Sequence, residues 1–230
     1  MDLDAVIQRA RAWAEADPDP VTRAEIEGLI SSSHPEKTDL ADRFAGALEF
    51  GTAGLRGIIG AGPNRMNRAV VLRTTWGLGA YLVETRGDEG KRLGVAIGYD
   101  GRRMSRELAE DTACALAAAG IRAFLFADVV PTPLLAFAVS RLGCAAGVMV
   151  TASHNPPEYN GYKAYWSNGA QIVPPIDVGI AASIDRAPAA KDVPRLSLEE
   201  AQARGLVEVL GERLETEYLA EVKKLGARSD

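Results

Sequence analysis

Between residues 68 and 152 the sequence alternates between helical and strand-like hydrophobic patterns, and this alternation limits the possible folds more than any other feature. Val71, Leu78 and Leu82 fall on one face of a predicted helix, whereas residues 93–99 are an apolar run typical of a buried strand. The same change of pattern then recurs in a helix from Ser105, a strand at 121–128, a helix at 133–142 and a strand at 144–152. Strands that alternate with helices are typical of α/β proteins. The sequence therefore predicts an α/β fold of three layers, a mixed and mostly parallel sheet with helices on both faces.

The regions before and after this core have different patterns. Residues 1–48 predict an N-terminal helical leader, whose last helix runs from about residue 39 to residue 48. Asp17 and Asp19 stand between prolines at the end of the first predicted helix, so they are not taken as metal ligands. Residues 49–190 are assigned to the α/β domain, and residues 191–230 to a connecting helical segment.

A hairpin is predicted near the end of the α/β domain. Two short runs, YKAYW and AQIV, are joined by Ser167-Asn168-Gly169, and Asn-Gly is the strongest two-residue signal for a hairpin turn. The sequence therefore predicts an antiparallel strand pair at this point.

Composition excludes several classes of protein. The net charge is −5 and the basic residues are dispersed among acidic ones, which argues against a nucleic-acid or membrane partner. The N-terminus is acidic, unlike a signal peptide, and no apolar run approaches the length of a membrane span. Cys114 and Cys144 both lie in apolar patterns, so we expect two small buried residues rather than a disulfide pair. Free cysteines favour a reducing compartment. We therefore expect a cytoplasmic protein.

The segment Thr151–Lys163 (TASHNPPEYNGYK) concentrates the polar chemistry of the chain. Ser153 stands where a predicted buried strand opens into a loop, and such loops often hold reactive groups on a rigid scaffold. The alternative is that serine, asparagine and proline are present here only because they form good turns.

This segment resembles the active-serine loop of the α-D-phosphohexomutase family, which includes phosphoglucomutases and phosphomannomutases, and the likeness extends through the Tyr-Asn-Gly-Tyr-Lys tail. Further pieces are similar to the family's opening strand and loop or to its intervening strand ends: Glu49–Gly60 with Asn64–Asn67, Gly98–Arg103 and Val130–Pro133. The likeness covers roughly residues 40–190. It is greatest to the branch of phosphoglucomutases and phosphopentomutases with a long N-terminus.

The resemblance implies a phosphosugar mutase, an isomerase of the phosphoglucomutase type. In this family a serine gives its phosphoryl group to a sugar monophosphate and recovers one from the bisphosphate intermediate. Ser153 is the matching residue, with a sugar 1,6-bisphosphate as the activator. The substrate pair that we expect is glucose 1-phosphate and glucose 6-phosphate, although the selecting residues of the family lie outside this sequence.

The resemblance also implies roles for other residues. Arg56 and Lys163 would neutralise charge on the moving phosphoryl group, because phosphoryl transfer depends on positioning and electrostatic stabilisation. His154 is not expected to be the base of Ser153, because neighbours in an extended chain point apart. It is expected to contact phosphate or metal-bound oxygens in the same pocket, with a structural role for its ring as the alternative. The expected phosphate-binding residues are Asn155, Arg65 and Thr52. The alternatives are that the basic side chains are solvated surface cations and that Asn155 and Asn160 only shape the loop.

Metal binding is implied only in part. Family mutases bind Mg²⁺ through the serine phosphate, here on Ser153, and through an Asp-Gly-Asp-x-Asp-Arg loop that this sequence does not contain. Gly57, Gly60 and Gly62 do not have the spacing of a dinucleotide site. We therefore expect this chain to be the first domain of a longer enzyme, with the missing C-terminal domains and a phosphosugar as its partners. The alternative is a stand-alone, non-catalytic domain that binds a phosphosugar or a protein partner, and a serine hydrolase is a more distant one.

Overall fold

The structure is a computed structural model that describes residues 3–32 and 36–225. Helices and strands follow one another along the chain in this order: α1 (Leu3–Ala16), α2 (Pro20–Ser31), α3 (Glu36–Arg43), β1 (Leu55–Ile58), α4 (Arg68–Leu93), β2 (Val95–Tyr99), α5 (Ser105–Ala118), β3 (Ala123–Phe126), α6 (Thr132–Leu142), β4 (Ala146–Val150), β5 (Tyr159–Trp166), α7 (Ile176–Asp185), α8 (Leu198–Ala203), β6 (Val207–Leu210) and α9 (Arg213–Lys224). A single 3₁₀ turn, Ala190–Asp192, lies between α7 and α8.

The six strands form one sheet in the order β1-β5-β4-β2-β3-β6. Strands β2, β3, β4 and β6 are parallel to their neighbours within this group, whereas β5 is antiparallel to both β4 and β1. Apolar residues fill both faces of the sheet. The larger cluster contains Leu78 of α4, Leu108 of α5 and Ile180 of α7, and the cluster on the other face contains Leu135 of α6 and Leu214 of α9. The predicted three-layer α/β fold with a mixed, mostly parallel sheet is confirmed.

The leader helices α1, α2 and α3 have a hydrophobic core of their own, which includes Val6, Ile26, Leu40 and Phe44. Helix α3 ends at Arg43, so the prediction of a helix that continues to residue 48 is wrong. None of the described helices combines the length and the apolar character that crossing a membrane requires.

Two parts of the sheet differ from the sequence prediction. The turn at Asn168 forms, but the run that follows it is not a strand and pairs with β5 only through a bridge between Tyr165 and Gln171. The run lies beyond β1, which pairs with residues 159–162 of β5, and it ends at Pro174, which has no N–H to donate to a ladder. Strand β6 lies in the stretch that the sequence predicted to be helical, and it pairs in parallel with β3.

Candidate active site

The candidate site lies where two neighbouring parallel strands end. Strands β2 and β4 pair directly, with Tyr99 opposite Val150, so the loops that follow them leave the sheet at the same edge. Ligands of open α/β sheets bind at the carboxyl ends of the strands. The loop after β4 is called the serine loop here, residues 151–158, and the loop after β2 is called the β2 loop, residues 100–104.

Ser153 has an unusual backbone conformation within the serine loop. Its φ is 58°, in the left-handed region that a residue other than glycine rarely adopts. The Ser153 amide donates a hydrogen bond to Thr151 Oγ1 at 2.9 Å, and Ser153 Oγ lies 3.4 Å from His154 Nδ1. The sequence argument that neighbouring side chains point apart assumed an extended chain, so it is wrong at this position.

Arg56 and Lys163 lie on the same face of the sheet. Arg56 of β1 is opposite Gly161 of β5, and Lys163 is two residues further along β5, so the period of two puts both side chains on one side. Arg56 Nη1 donates to the side-chain oxygen Oδ1 of Asn155 at 2.9 Å. One of the predicted cations therefore contacts the serine loop two residues from Ser153.

The pKa of Lys163 depends on its burial and on the charges of two neighbouring residues. Partial burial and the positive charge of Arg56 lower the pKa of the Lys163 ammonium, and the carboxylate of Asp100 acts in the opposite direction. A bound anion would stabilise two neighbouring cations that repel each other.

The close approach of β5 to its neighbours depends on a glycine. A side chain at Gly161 would lie 2.7 Å from the carbonyl oxygens of both Leu55 and Thr151. The next residue, Tyr162, is fully buried, and its hydroxyl lies 3.2 Å from Thr75 Oγ1. Strand β5 is therefore tightly packed on both sides, and this fixes the backbone from which the Lys163 side chain extends.

Asn160 links the serine loop region to α5. The residue is fully buried, its amide nitrogen donates to Arg103 O and Ser105 Oγ at 2.9 Å each, and its oxygen accepts from the Gly161 amide at 2.8 Å. Sequence reasoning left open whether Asn160 only shapes the loop. Its contacts indicate that it joins two elements of the site.

Arg102 is a residue of the site that sequence reasoning missed. It belongs to the β2 loop, and its guanidinium donates to four backbone carbonyls of the segment 153–159. Arg102 belongs to the Gly-Tyr-Asp-Gly-Arg-Arg motif, which was the available signal. The motif does not indicate which of the basic residues of the chain contacts the serine loop.

Arg65 and Thr52 are not joined to this cluster by any described contact. Arg65 is buried, and its guanidinium donates to the carboxylates of Asp39 and Asp42 at 3.2 and 2.6 Å and to Asn64 O at 2.9 Å. These partners belong to the leader, except the adjacent Asn64, and they leave the predicted phosphate-binding role without support. The exposed Thr52 accepts a hydrogen bond from the Gln171 side chain through its backbone oxygen at 2.7 Å.

The described residues do not fit a magnesium site by themselves. No group of three or more His, Cys, Asp or Glu side chains with metal-binding geometry occurs in residues 3–32 and 36–225. Asp100, the carboxylate of the β2 loop, already accepts from Ser105 Oγ at 2.7 Å and from the Arg102 amide at 3.1 Å. No step is therefore derived through a metal held by these residues.

Comparisons with known proteins find relatives of this chain. Residues 47–191 match the family model described as phosphoglucomutase/phosphomannomutase, alpha/beta/alpha domain I. A "probable phosphoribomutase" of Schizosaccharomyces pombe is 44% identical over 185 residues, which is 80% of this chain and 31% of that protein. The glucose 1,6-bisphosphate synthase of Homo sapiens is 41% identical over 179 residues, which is 75% of this chain and 28% of that protein.

A solved structure is also similar. It is the crystal structure of a phosphoglucomutase/phosphomannomutase family protein from Burkholderia thailandensis, with a TM-score of 0.53 and 27% identity over 71% of this chain and 33% of that chain. The chain spans about a third of the length of the relatives that it matches.

Proposed function

Because this chain belongs to the phosphoglucomutase/phosphomannomutase family, we propose that it provides the phosphorylated serine of a phosphosugar mutase, and that this serine is Ser153. The observation that supports the proposal most strongly is the contact between Arg56 and Asn155, because it brings a cation from β1 to the serine loop. The lowered pKa of Lys163 supports it further, since burial and the nearby charge of Arg56 both disfavour an ammonium that a bound phosphate would stabilise.

The proposed reaction has two transfers. A hydroxyl oxygen of the sugar monophosphate attacks the phosphorus on Ser153, the bond from phosphorus to Ser153 Oγ breaks, and a sugar bisphosphate forms. The hydroxyl proton leaves the sugar, and Ser153 Oγ takes up a proton. After the bisphosphate turns around, Ser153 Oγ attacks its other phosphorus and the isomeric monophosphate leaves, so the serine ends as it began. A sugar 1,6-bisphosphate loads the serine for the first cycle.

The residues around Ser153 have distinct proposed roles. Arg56 and Lys163 would neutralise the negative charge that spreads over the oxygens of the moving group. A lowered pKa also brings the Lys163 amine closer to a state in which it exchanges protons near neutral pH. His154 lies 3.4 Å from Ser153 Oγ and would contact the phosphoryl oxygens, and Asn155 would orient Arg56 towards them.

The substrate is a proposal of its own. Our expectation from the sequence is the pair glucose 1-phosphate and glucose 6-phosphate. The relatives include proteins named for a pentose, the phosphoribomutase, and for a hexose, the glucose 1,6-bisphosphate synthase. Ribose 1-phosphate and ribose 5-phosphate are therefore the competing pair.

Other parts of the enzyme would supply what these residues lack. The relatives are about three times as long as the matched part, which supports the expectation of missing C-terminal domains as partners. Mg²⁺ would bind the Ser153 phosphate together with carboxylates outside this chain and would neutralise phosphoryl charge when bound. The proposed location is cytoplasmic, with no nucleic-acid or membrane partner, and the two cysteines, Cys114 and Cys144, are both free and buried.

The test is to load Ser153 with a phosphoryl group in the enzyme that joins this chain to the proposed C-terminal domains. We would incubate this enzyme with Mg²⁺ and either glucose 1,6-bisphosphate or ribose 1,5-bisphosphate and map the product by peptide mass spectrometry. The proposal predicts one phosphoryl group on Ser153 and none in Ser153→Ala, and the faster donor indicates the preferred sugar. Modification of another residue that persists in Ser153→Ala would overturn the assignment. Tight binding of either bisphosphate without any transfer would favour the alternative, a non-catalytic phosphosugar-binding domain.

A further inference from the structure

The guanidinium of Arg102 binds the backbone of the serine loop and of the first residue of β5. Nη2 donates to the carbonyl oxygens of Ser153 and Asn155 at 2.9 and 2.7 Å, and Nη1 donates to those of Pro156 and Tyr159 at 2.8 and 3.1 Å. One side chain therefore fixes four peptide groups, including the carbonyl of the proposed phosphoryl carrier.

These hydrogen bonds stabilise Ser153 in an unfavourable backbone conformation. A non-glycine residue in the left-handed region is less stable by about 1 kcal/mol or more than in its ordinary conformations. The φ of 58° is held from both sides, because Thr151 Oγ1 accepts from the Ser153 amide and Arg102 donates to the Ser153 carbonyl. Without Arg102, the carbonyl side of Ser153 would lose its hydrogen bond.

Arg102 is itself held by the sheet. Its side chain is only 15% exposed, and Nε lies 3.3 Å from Asp100 Oδ2. Asp100 follows β2 directly, and its other oxygen accepts from Ser105, the first residue of α5. The chain of contacts thus connects the end of β2 and the start of α5 to the backbone of Ser153.

We propose that Arg102 is a positioning residue for phosphoryl transfer: by binding the serine loop it keeps Ser153 in the left-handed conformation and its hydroxyl at one place relative to Arg56 and Lys163. The inference rests on the proposed function but assigns no contact with substrate. Arginine is suited to this role because its planar fork directs several N–H groups at once, whereas the three donors of a lysine diverge from one nitrogen.

The test compares Arg102→Lys with a matched control, Arg68→Lys. Arg68 also makes two short bonds to a buried partner, the carboxylate of Asp111 at 2.6 and 2.7 Å, but it has no described contact with the serine loop. We would measure single-turnover phosphorylation of Ser153 by glucose 1,6-bisphosphate over a range of concentrations, with urea unfolding of each variant.

Positioning predicts that Arg102→Lys lowers the saturating rate by about tenfold or more and leaves the half-saturating concentration of bisphosphate unchanged, since a small misplacement of a reacting group can cost a factor of ~100. Arg68→Lys should lose stability without losing this rate. An unchanged saturating rate in Arg102→Lys, or an equal loss in both variants, would overturn the inference.

A second measurement separates this inference from the proposed function. The ¹³Cα and ¹³Cβ chemical shifts of Ser153 report its backbone conformation in the unphosphorylated chain, and they should move away from left-handed values in Arg102→Lys but not in Arg68→Lys. Failure of the unsubstituted enzyme, with its C-terminal domains, to accept a phosphoryl group on Ser153 would contradict the proposed function alone. Unmoved Ser153 shifts in Arg102→Lys would contradict the positioning role alone.

Discussion

Arg102 and Arg65 are both largely buried arginines that join separate segments of the chain, but their partners differ. Arg102 donates mainly to backbone carbonyls of the serine loop and of the start of β5. Arg65 donates to two side-chain carboxylates of the leader, Asp39 and Asp42, which are 41% and 63% exposed. The first junction is between the sheet and the candidate site, and the second is between the sheet and the leader helices.

Because their partners differ, the two junctions should respond differently to salt. Ion pairs with exposed carboxylates are weakened by salt, and each contributes only about 0.2–1 kcal/mol. The site junction also contains the fully buried Asn160, whose bonds are less accessible to ions, and removing one partner of a buried bond leaves the other unpaired at a cost of about 1–3 kcal/mol. The candidate site should therefore be the more rigid junction, and the leader junction the more adjustable one.

The largest effect on stability is expected for Asn160→Ala at the rigid junction. The substitution removes the donor to Ser105 Oγ in a buried place and to Arg103 O in a partly buried one, so the free energy of unfolding should fall by about 2 kcal/mol. Urea unfolding measures it. The control is Asn64→Ala, which removes a solvent-exposed hydrogen bond to Asp42 O at the leader junction and should cost about 0.5 kcal/mol or less. Equal losses in the two variants would contradict the comparison.

A smaller effect is expected from salt on the leader junction. The Ala61 amide donates to the Glu25 carboxylate at 3.0 Å, in a network with Arg43, whereas the Thr151 amide donates to the carbonyl of Gly161 at 3.1 Å. Raising NaCl from about 0.1 M to about 1 M should accelerate hydrogen exchange of the Ala61 amide about two- to fivefold. The exchange rate of the Thr151 amide, divided by the rate in an unstructured peptide at the same salt concentration, should not change. A salt response at Thr151 as large as at Ala61 would show that the two junctions do not differ.

The smallest effect concerns the reactivity of Lys163. Because burial and Arg56 lower its pKa, a larger fraction of this amine is neutral at pH 8 than for an ordinary lysine, and trinitrobenzenesulfonate should modify it faster. Arg56→Gln raises the pKa and should slow the modification, although burial still acts. Arg65→Gln is the control and should leave the rate unchanged, as quantified by peptide mass spectrometry. An unaltered rate in Arg56→Gln would indicate that the two cations are not coupled.

Local patterns were sufficient to predict most of the layered core. Helix α5 begins at Ser105 as predicted, and Val71, Leu78 and Leu82 are all fully buried. Strand β6 was missed because four residues give too short a pattern, and its stability depends on pairing with β3 more than eighty residues earlier in the chain. The predicted hairpin forms only as a turn and one bridge, and its second run is cut short by Pro174, which cannot donate to a ladder.

The candidate site shows the same division between local and distant information. The motif predicted where Ser153, Arg56 and Lys163 occur, and the register of β1 and β5 puts the two cations on one face. The sequence predicted phosphate binding for Arg65 and no role for Arg102. Both residues are arginines in loops, and only their hydrogen-bond partners distinguish them. Those partners lie at least twenty residues away for Arg65, in the leader, and about fifty for Arg102.

The most direct test of the account is the ionisation of a phosphate placed on Ser153. Phosphoserine would be incorporated at position 153 during synthesis, so that the test does not depend on turnover, and its ³¹P resonance would be titrated with pH. An isolated phosphoserine has a second pKa of about 6, and nearby cations lower it because they favour the dianion. The account predicts a pKa clearly below this value, which rises towards it in Arg56→Gln and stays low in Arg65→Gln. A resonance that titrates near 6 in the unmodified chain, or that responds to Arg65 and not to Arg56, would contradict the claim that Ser153 is a phosphoryl carrier within this site.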